Sequence, residues 1–268
     1  MKIAFSTLSC PRWDLDTIVA RAGEYGYDGV DFRGLGDELE VYNLPAFTAD
    51  AAATRRRIED AGLKVAGFSS SARMFDATDA ARADSLDQVK RYAELCARFD
   101  APLIRVFGGR LEGTPLAAAV PIAAETLDGM AAAAAPARIV VETHDDWVAT
   151  APLAEVMRRV RAGNVALLWD LHHPYRLAGE APRESYDNIA RFTRGVHVKD
   201  SRLNADGSHS PALPGEGDVP LAELVQMLLD GGYDGYFTVE WEKRWIAGIA
   251  EPEQALPAYA DFLRRLGG

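Results

Sequence analysis

A chain of 268 residues with a formal net charge of −11 has room for one large α/β domain or two small ones. Its acidic balance argues against gripping a phosphate backbone, which takes clustered Lys and Arg. Cys10 and Cys96 are the only cysteines and form no CxxC pattern, which fits reduced cytoplasmic thiols rather than a disulfide framework.

In chain order, β-rich runs alternate with amphipathic helical ones. Strands are expected over KIAFST (2–7), GVDFR (29–33), KVAGFSS (64–70), PLIRVFGG (102–109), RIVVETH (138–144), VALLWDLH (165–172), GVHVKD (195–200) and YFTVEWE (236–242). Helices are expected over 14–25, 49–61, 79–99, 115–135, 151–161, 183–192, 219–230 and 252–266. Strict alternation implies a parallel sheet with helical crossovers. Eight such units in about 250 residues is the arithmetic of a closed (β/α)8 barrel, here a single domain over 1–268.

The joints agree. GYDG occurs at 26–29 and 232–235, each time before a strand, and AGLKV (61–65) and AGNVA (162–166) play a similar part. Glycine just past a helix end takes left-handed dihedrals and stops the helix. The Ala-rich stretch 117–135 reads as an outer helix, because alanine has the highest helix propensity. The longest irregular segment is 201–218, and loops of that length carry function or motion. The opening MKIAFSTLSCPRWD is too short in its apolar stretch for a signal peptide, and no apolar run reaches membrane-spanning length. A soluble cytoplasmic protein without membrane or nucleic-acid partners is the expectation.

In a barrel of this kind the active site lies at the C-terminal ends of the strands. Strand five ends VVETHDD, strand six WDLHH, strand seven HVKD and strand eight TVEWE. Side chains alternate along a strand. Val141, Val196, Val198, Val239 and Trp241 take the helix-facing side, so Glu142, His197 and Glu240 point inward, and Asp170 joins them from strand six. Carboxylates converging without a partner resist ionisation, and a divalent cation removes the conflict. Three oxygens and one imidazole nitrogen suit Mg²⁺ or Mn²⁺ and tolerate Co²⁺ or Zn²⁺.

Other readings stand beside this one. Asp170 also fits a cap of the following helix. His172 reads as structural. His144 and Lys199 fit either site lining or surface. Trp13, Arg33, Arg105, Trp147 and Arg202 are candidates for a sugar platform and for hydroxyl or phosphate grips. The GEGD turn (215–218) is only superficially like a phosphate loop, since no GKS/T follows it. The WEKRW run (241–245) is either rim or a solvated turn, and Trp245 offers a surface for a homo-oligomer.

Glu142 in VVETH, Asp170 and His173 in WDLHH, His197 in GVHVKD, the GEG turn and Glu240 in VEWEKRW together resemble the xylose-isomerase-like TIM barrels over essentially the whole chain. The resemblance implies that Glu142, Asp170, His197 and Glu240 hold one metal ion and that His173 contacts substrate. In the ketose 3-epimerase branch it implies that Glu142 and Glu240 move the proton. An arginine that often grips substrate in that branch is replaced here by Leu203, with Arg202 beside it. The three-metal apurinic endonucleases need further histidines that FRGLG, FSSSA and VFGG do not carry.

The expected activity is a metal-dependent isomerase or epimerase acting on a small carbonyl sugar, ketose or inosose. Its chemistry is proton transfer α to the carbonyl through a metal-stabilised enediolate. An inosose-type dehydratase uses the same site. A metal-dependent phosphodiesterase and a non-catalytic sugar-binding barrel are the remaining alternatives.

Overall fold

The computed structural model describes residues 1–267. Ten strands and nine α-helices follow one another among them. They are β1 (Lys2–Ser6), α1 (Leu15–Glu24), β2 (Gly29–Phe32), α2 (Ala51–Asp60), β3 (Lys64–Arg73), α3 (Asp79–Phe99), β4 (Leu103–Phe107), α4 (Leu116–Ala134), β5 (Arg138–Glu142), α5 (Thr150–Arg159), β6 (Val165–Asp170), α6 (His173–Leu177), α7 (Pro182–Ile189), β7 (Thr193–Val198), β8 (Asp200–Leu203), β9 (His209–Ala212), α8 (Leu221–Asp230), β10 (Tyr236–Val239) and α9 (Pro252–Gly267). Eight parallel strands close into a barrel in the order β1-β10-β7-β6-β5-β4-β3-β2, with helices between them. All eight expected strands are found, each within a few residues of its expected ends.

The backbone groups into two compact units, Met1–Ala66 with Val196–Gly268, and Gly67–Gly195. In the first, Ala4 stands in register with Gly29 on one side and Thr238 on the other, and Thr238 in register with His197. The opposite faces of β1, β2 and β10 bury Ile3, Phe5, Val30, Phe32, Phe237 and Val239, the apolar half of a period-two pattern.

In the second unit β5 lies between β4 and β6, with Val140 opposite both Arg105 and Ala166. Val140, Ala166 and Leu168 form one buried cluster against Leu103. By alternation these residues share a face with Glu142 and Asp170 and lie below them, so an apolar floor supports the strand ends.

Three of the four expected joints behave as glycine stops. Gly26, Gly62 and Gly232 have φ of 74°, 75° and 81°. Gly163 does not take a positive φ. There α5 has already ended at Arg159, and Asp128 Oδ1 accepts the N–H groups of Arg161 and Ala162 at 2.9 Å each.

Two further expectations are corrected. Among the described residues α4 is the one helix long and apolar enough, by length and composition, to cross a membrane. Its apolarity comes largely from alanine. It packs against α3 and α5 and buries Ala119, Ala123, Leu127, Met130 and Ala134. The segment 201–218 is not irregular throughout. Strands β8 and β9 pair antiparallel from Asp200↔Ala212 to Leu203↔His209.

The GEGD turn wraps an internal anion. Asp200 Oδ2 accepts the N–H groups of Gly215 (2.9 Å) and Gly217 (3.2 Å), while Oδ1 accepts those of Ser201 (2.8 Å) and Val219 (3.3 Å). Burial pushes the Asp200 carboxyl up, and these backbone bonds offset it only in part. A Cβ at Gly217 would lie 2.1 Å from Asp200 Oδ1 and 2.5 Å from the Ser201 carbonyl oxygen. Gly217→Ala is therefore expected to destabilise by about 1–3 kcal/mol, as overpacking does. Gly163→Ala, whose Cβ meets nothing within 4 Å, should leave the thermal midpoint unchanged. Equal midpoints for the two variants would contradict the cradle.

Candidate active site

Strand β5 delivers Glu142 as its last residue, 1% exposed. Glu142 Oε2 lies 3.3 Å from Arg105 Nε. Arg105 itself is buried, donates from Nη1 to the Ser70 carbonyl at 3.0 Å, and sits 3.8 Å over the Phe107 ring. The arginine expected as a substrate grip is thus held between sheet backbone, an aromatic face and the carboxylate of Glu142.

Strand β6 delivers Asp170, 0% exposed. Its Oδ1 accepts the N–H groups of His172 (2.8 Å) and His173 (3.1 Å) at the head of the short α6. Oδ1 thus holds the backbone that leads into α6, whose N-cap is His172, while Oδ2 lies 3.5 Å from His173 Nδ1. His173 Nδ1 is also 2.8 Å from the Thr143 carbonyl oxygen. A carbonyl only accepts, so Nδ1 carries the proton in that bond. His172 is buried, with its ring 5.5 Å from that of His173.

His144 packs its ring 4.7 Å from Phe107 and edge-on to His173 at 4.9 Å. Its Nδ1 lies 3.0 Å from Asp145 Oδ1. Trp147 is fully buried against Phe75 and the backbone at Gly108. It is a wall of the fold rather than an exposed platform.

The first unit supplies the rest. His197 lies on β7, and Glu240 directly follows β10, its N–H still donating to Val198 at 3.1 Å. Glu240 Oε1 is 3.3 Å from His197 Nδ1, and Oε2 is 2.7 Å from Lys199 Nζ. Lys199 also reaches Glu242 Oε1 at 2.9 Å. Arg202 stands on the β8–β9 ribbon and donates to the Glu216 carbonyl of the GEG turn. Arg33 is buried 3.8 Å from Glu40, and Trp13 donates to Glu253 at 3.1 Å.

The strand-end donors Glu142, Asp170, His197 and Glu240 are all buried, and each offers one ligand atom within 4.8 Å of the others. Three carboxylates at that spacing in a buried setting oppose one another's ionisation unless positive charge is supplied. Oxygen-rich donors with one imidazole fit a divalent ion, and the donor set passes that test on its own chemistry. Asp170, His172 and His173 form a second, overlapping group.

The family profile described as xylose isomerase-like TIM barrel matches residues 19–266. The chain belongs to that family. A curated relative, fructoselysine 3-epimerase of Escherichia coli O157:H7, is 37% identical over 71 residues, a stretch covering 26% of this chain and 24% of the relative. Two solved structures share the fold at low identity. One is the probable 3-DHS dehydratase AsbF from Bacillus anthracis, with a TM-score of 0.81, 18% identity and coverage of 98% of this chain and 99% of that one. The other is the IolI protein with a bound zinc atom, with a TM-score of 0.81, 14% identity and coverage of 100% and 96%.

Within this member of the family, Asp145 and Asp146 carry a role that the sequence reading missed. Asp145 Oδ2 accepts the Gly109 N–H at 3.1 Å, and Asp146 Oδ2 accepts the Leu111 N–H at 2.7 Å. The loop after β5 thus pins the loop after β4. Two consecutive acids before an aromatic residue were the available signal, and they read equally well as solvated charge. Asp145 holds a φ of 55°, a region costly for a non-glycine residue. Burial pushes its carboxyl up, but the hydrogen bond and charge of His144, the Gly109 N–H and the charge of Arg73 together outweigh it, leaving the pKa below its ordinary 3.8. A lowered pKa means that the anchor stabilises the fold above the ordinary carboxylate range and is lost as pH falls through the folded value. The double variant Asp145→Ala/Asp146→Ala at neutral pH should speed amide hydrogen exchange at Gly109 and Leu111 while leaving β1 and β2 protected. Unchanged exchange at both positions would show that the loop is held by other means.

Proposed function

We propose that this family member is a metal-dependent isomerase or epimerase acting on a small carbonyl sugar, ketose or inosose, by moving the proton α to the carbonyl. The observation that carries the reading is the buried group Glu142, Asp170, His197 and Glu240, with ligand atoms within 4.8 Å of one another. These four residues would hold one divalent ion, with Mn²⁺ or Mg²⁺ suiting the oxygen-rich set best and Co²⁺ or Zn²⁺ also compatible. When bound, the ion supplies Lewis acidity to the substrate's carbonyl and neighbouring hydroxyl oxygens.

The protein's own groups do the rest. One of Glu142 and Glu240 accepts the α-proton, and a conjugate carboxylic acid returns it. Return to the other face of the same carbon gives an epimer, and return to the neighbouring carbon gives an isomer. His173, oriented through Nδ1 by Thr143, and His144, seated on Phe107, line the substrate side. The apolar floor of Val140, Ala166 and Leu168 keeps water from approaching from below, which strengthens every charge interaction above it. The dehydratase alternative uses the same first proton removal and then expels a β-hydroxyl, so product analysis separates the two.

Reconstituted protein should bind about one divalent ion per chain, as one four-ligand site requires, and the double variant Asp170→Asn/His197→Ala should bind none at the same ion concentration. A screen of ketoses and inososes in D₂O with Mn²⁺ present should find a substrate whose α-proton exchanges with solvent. Glu142→Gln and Glu240→Gln should each slow that exchange by roughly 10²–10⁴, the contribution of a general base. Full exchange rates in both variants with the ion still bound would place the base elsewhere. Full ion content in the double variant would remove the proposed ligand set.

A further inference from the structure

Glu240 divides its two oxygens between unlike neighbours. Oε1 faces His197 Nδ1 at 3.3 Å, and Oε2 is taken by Lys199 Nζ at 2.7 Å. The same ammonium is bound from its other side by Glu242 Oε1 at 2.9 Å. The Lys199 and Glu240 side chains are 8% and 6% exposed, against 30% for Glu242, so the ion triad runs from the buried strand end towards the rim. Charge-assisted bonds of this length are strong and directional, and a lysine held by two carboxylates is poorly placed to release either for a substrate anion.

The Glu242 end is anchored in turn. Its carbonyl accepts the N–H groups of Trp245 and Ile246 at 3.0 Å each. Buried Lys243 closes the loop behind it, with Nζ donating to the carbonyls of Ala247 (2.7 Å) and Ile249 (2.6 Å) and pairing with Glu251 at 2.8 Å. Arg244 ties the loop to the Gly36 and Asp37 carbonyls. Neither Lys199 nor Glu242 is among the four residues that approach one another closely enough to share an ion.

We infer that Lys199, braced by Glu242, is a positioning residue that occupies Oε2 of Glu240 and so presents the carboxylate to the metal through a single oxygen. The inference rests on the proposed four-ligand site. A carboxylate restricted to one ligand oxygen keeps a defined direction, as partners behind metal ligands generally enforce. The ammonium also competes with the ion for the charge of Glu240, which keeps the ion's hold on that residue moderate. Lys199 thereby sets both the geometry and the strength of one ligand without touching the substrate.

The test compares Mn²⁺ affinity by titration calorimetry and the visible spectrum of the Co²⁺-loaded protein in wild type, Lys199→Met, Lys199→Arg and Glu242→Gln. Lys199→Met frees the second oxygen and removes a nearby positive charge, so Mn²⁺ should bind tighter by about 10-fold or more. Its Co²⁺ bands should weaken as the coordination number rises. Lys199→Arg should restore the wild-type spectrum. Glu242→Gln leaves the ammonium to Glu240 alone, so Mn²⁺ should bind more weakly. A merely structural lysine predicts the opposite sign for Lys199→Met, because a loosened site binds metal less well. Weaker or equal affinity with an unchanged Co²⁺ spectrum in Lys199→Met overturns the inference. Should that variant not fold, unchanged or tighter Mn²⁺ binding in Glu242→Gln does the same. Wild-type protein that binds no Mn²⁺ overturns the four-ligand reading itself, and this inference with it.

Discussion

Three acidic side chains buried at strand ends are the constraint on which the rest of this architecture turns. Glu142, Asp170 and Glu240 are at most 5% exposed, and carboxylates so placed cost several kcal/mol each unless paired. The chain meets that cost with dedicated partners. Arg105 stands beside Glu142, the backbone at the head of α6 beside Asp170, and Lys199 beside Glu240. In the proposed metal-bound state, the ion together with Arg105 and Lys199 would offset the charge of the surrounding carboxylates.

The barrel was legible because its signal is repeated. Eight apolar runs with period-two alternation, each followed by a helical pattern, leave few topologies open. The same alternation placed Glu142, His197 and Glu240 on the inward face. What escaped the sequence reading is local and short. The helix His173–Leu177 has five residues and opens on a His-Pro pair, too little for a 3.6-residue period to emerge. The β8–β9 ribbon is built from DSRL and HSPA, segments of four residues with no period-two alternation of apolar side chains. A membrane-length apolar helix was hidden by alanine, which marks helix and hydropathy alike.

Side-chain partners were harder to read than positions. Arg105, Arg202 and Trp147 were candidates for gripping or stacking a sugar. In the structure each is engaged with the protein itself, Arg105 with Ser70 and Glu142, Arg202 with Glu216, and Trp147 with Phe75 and Gly108. A sequence gives the residue type and the face, but the nearest hydrogen-bonding group across the barrel depends on loop paths that carry no periodic signal. The Asp200 cradle makes the same point. GEGD carries the glycines of an anion-binding turn, and the anion proves to be a side chain of the same chain.

The two aspartates after β5 have a consequence for how such a scaffold changes over time. They bind the Gly109 and Leu111 amides of the preceding loop, so the path of each loop is fitted to the other. A graft over 108–113 keeps its partners only if it brings backbone N–H groups to the same two places, and a graft over 143–147 only if it carries acceptors there. A recombination point placed between β4 and β5 would therefore separate two aspartates from the backbone they hold, whereas one placed outside the pair would keep them together.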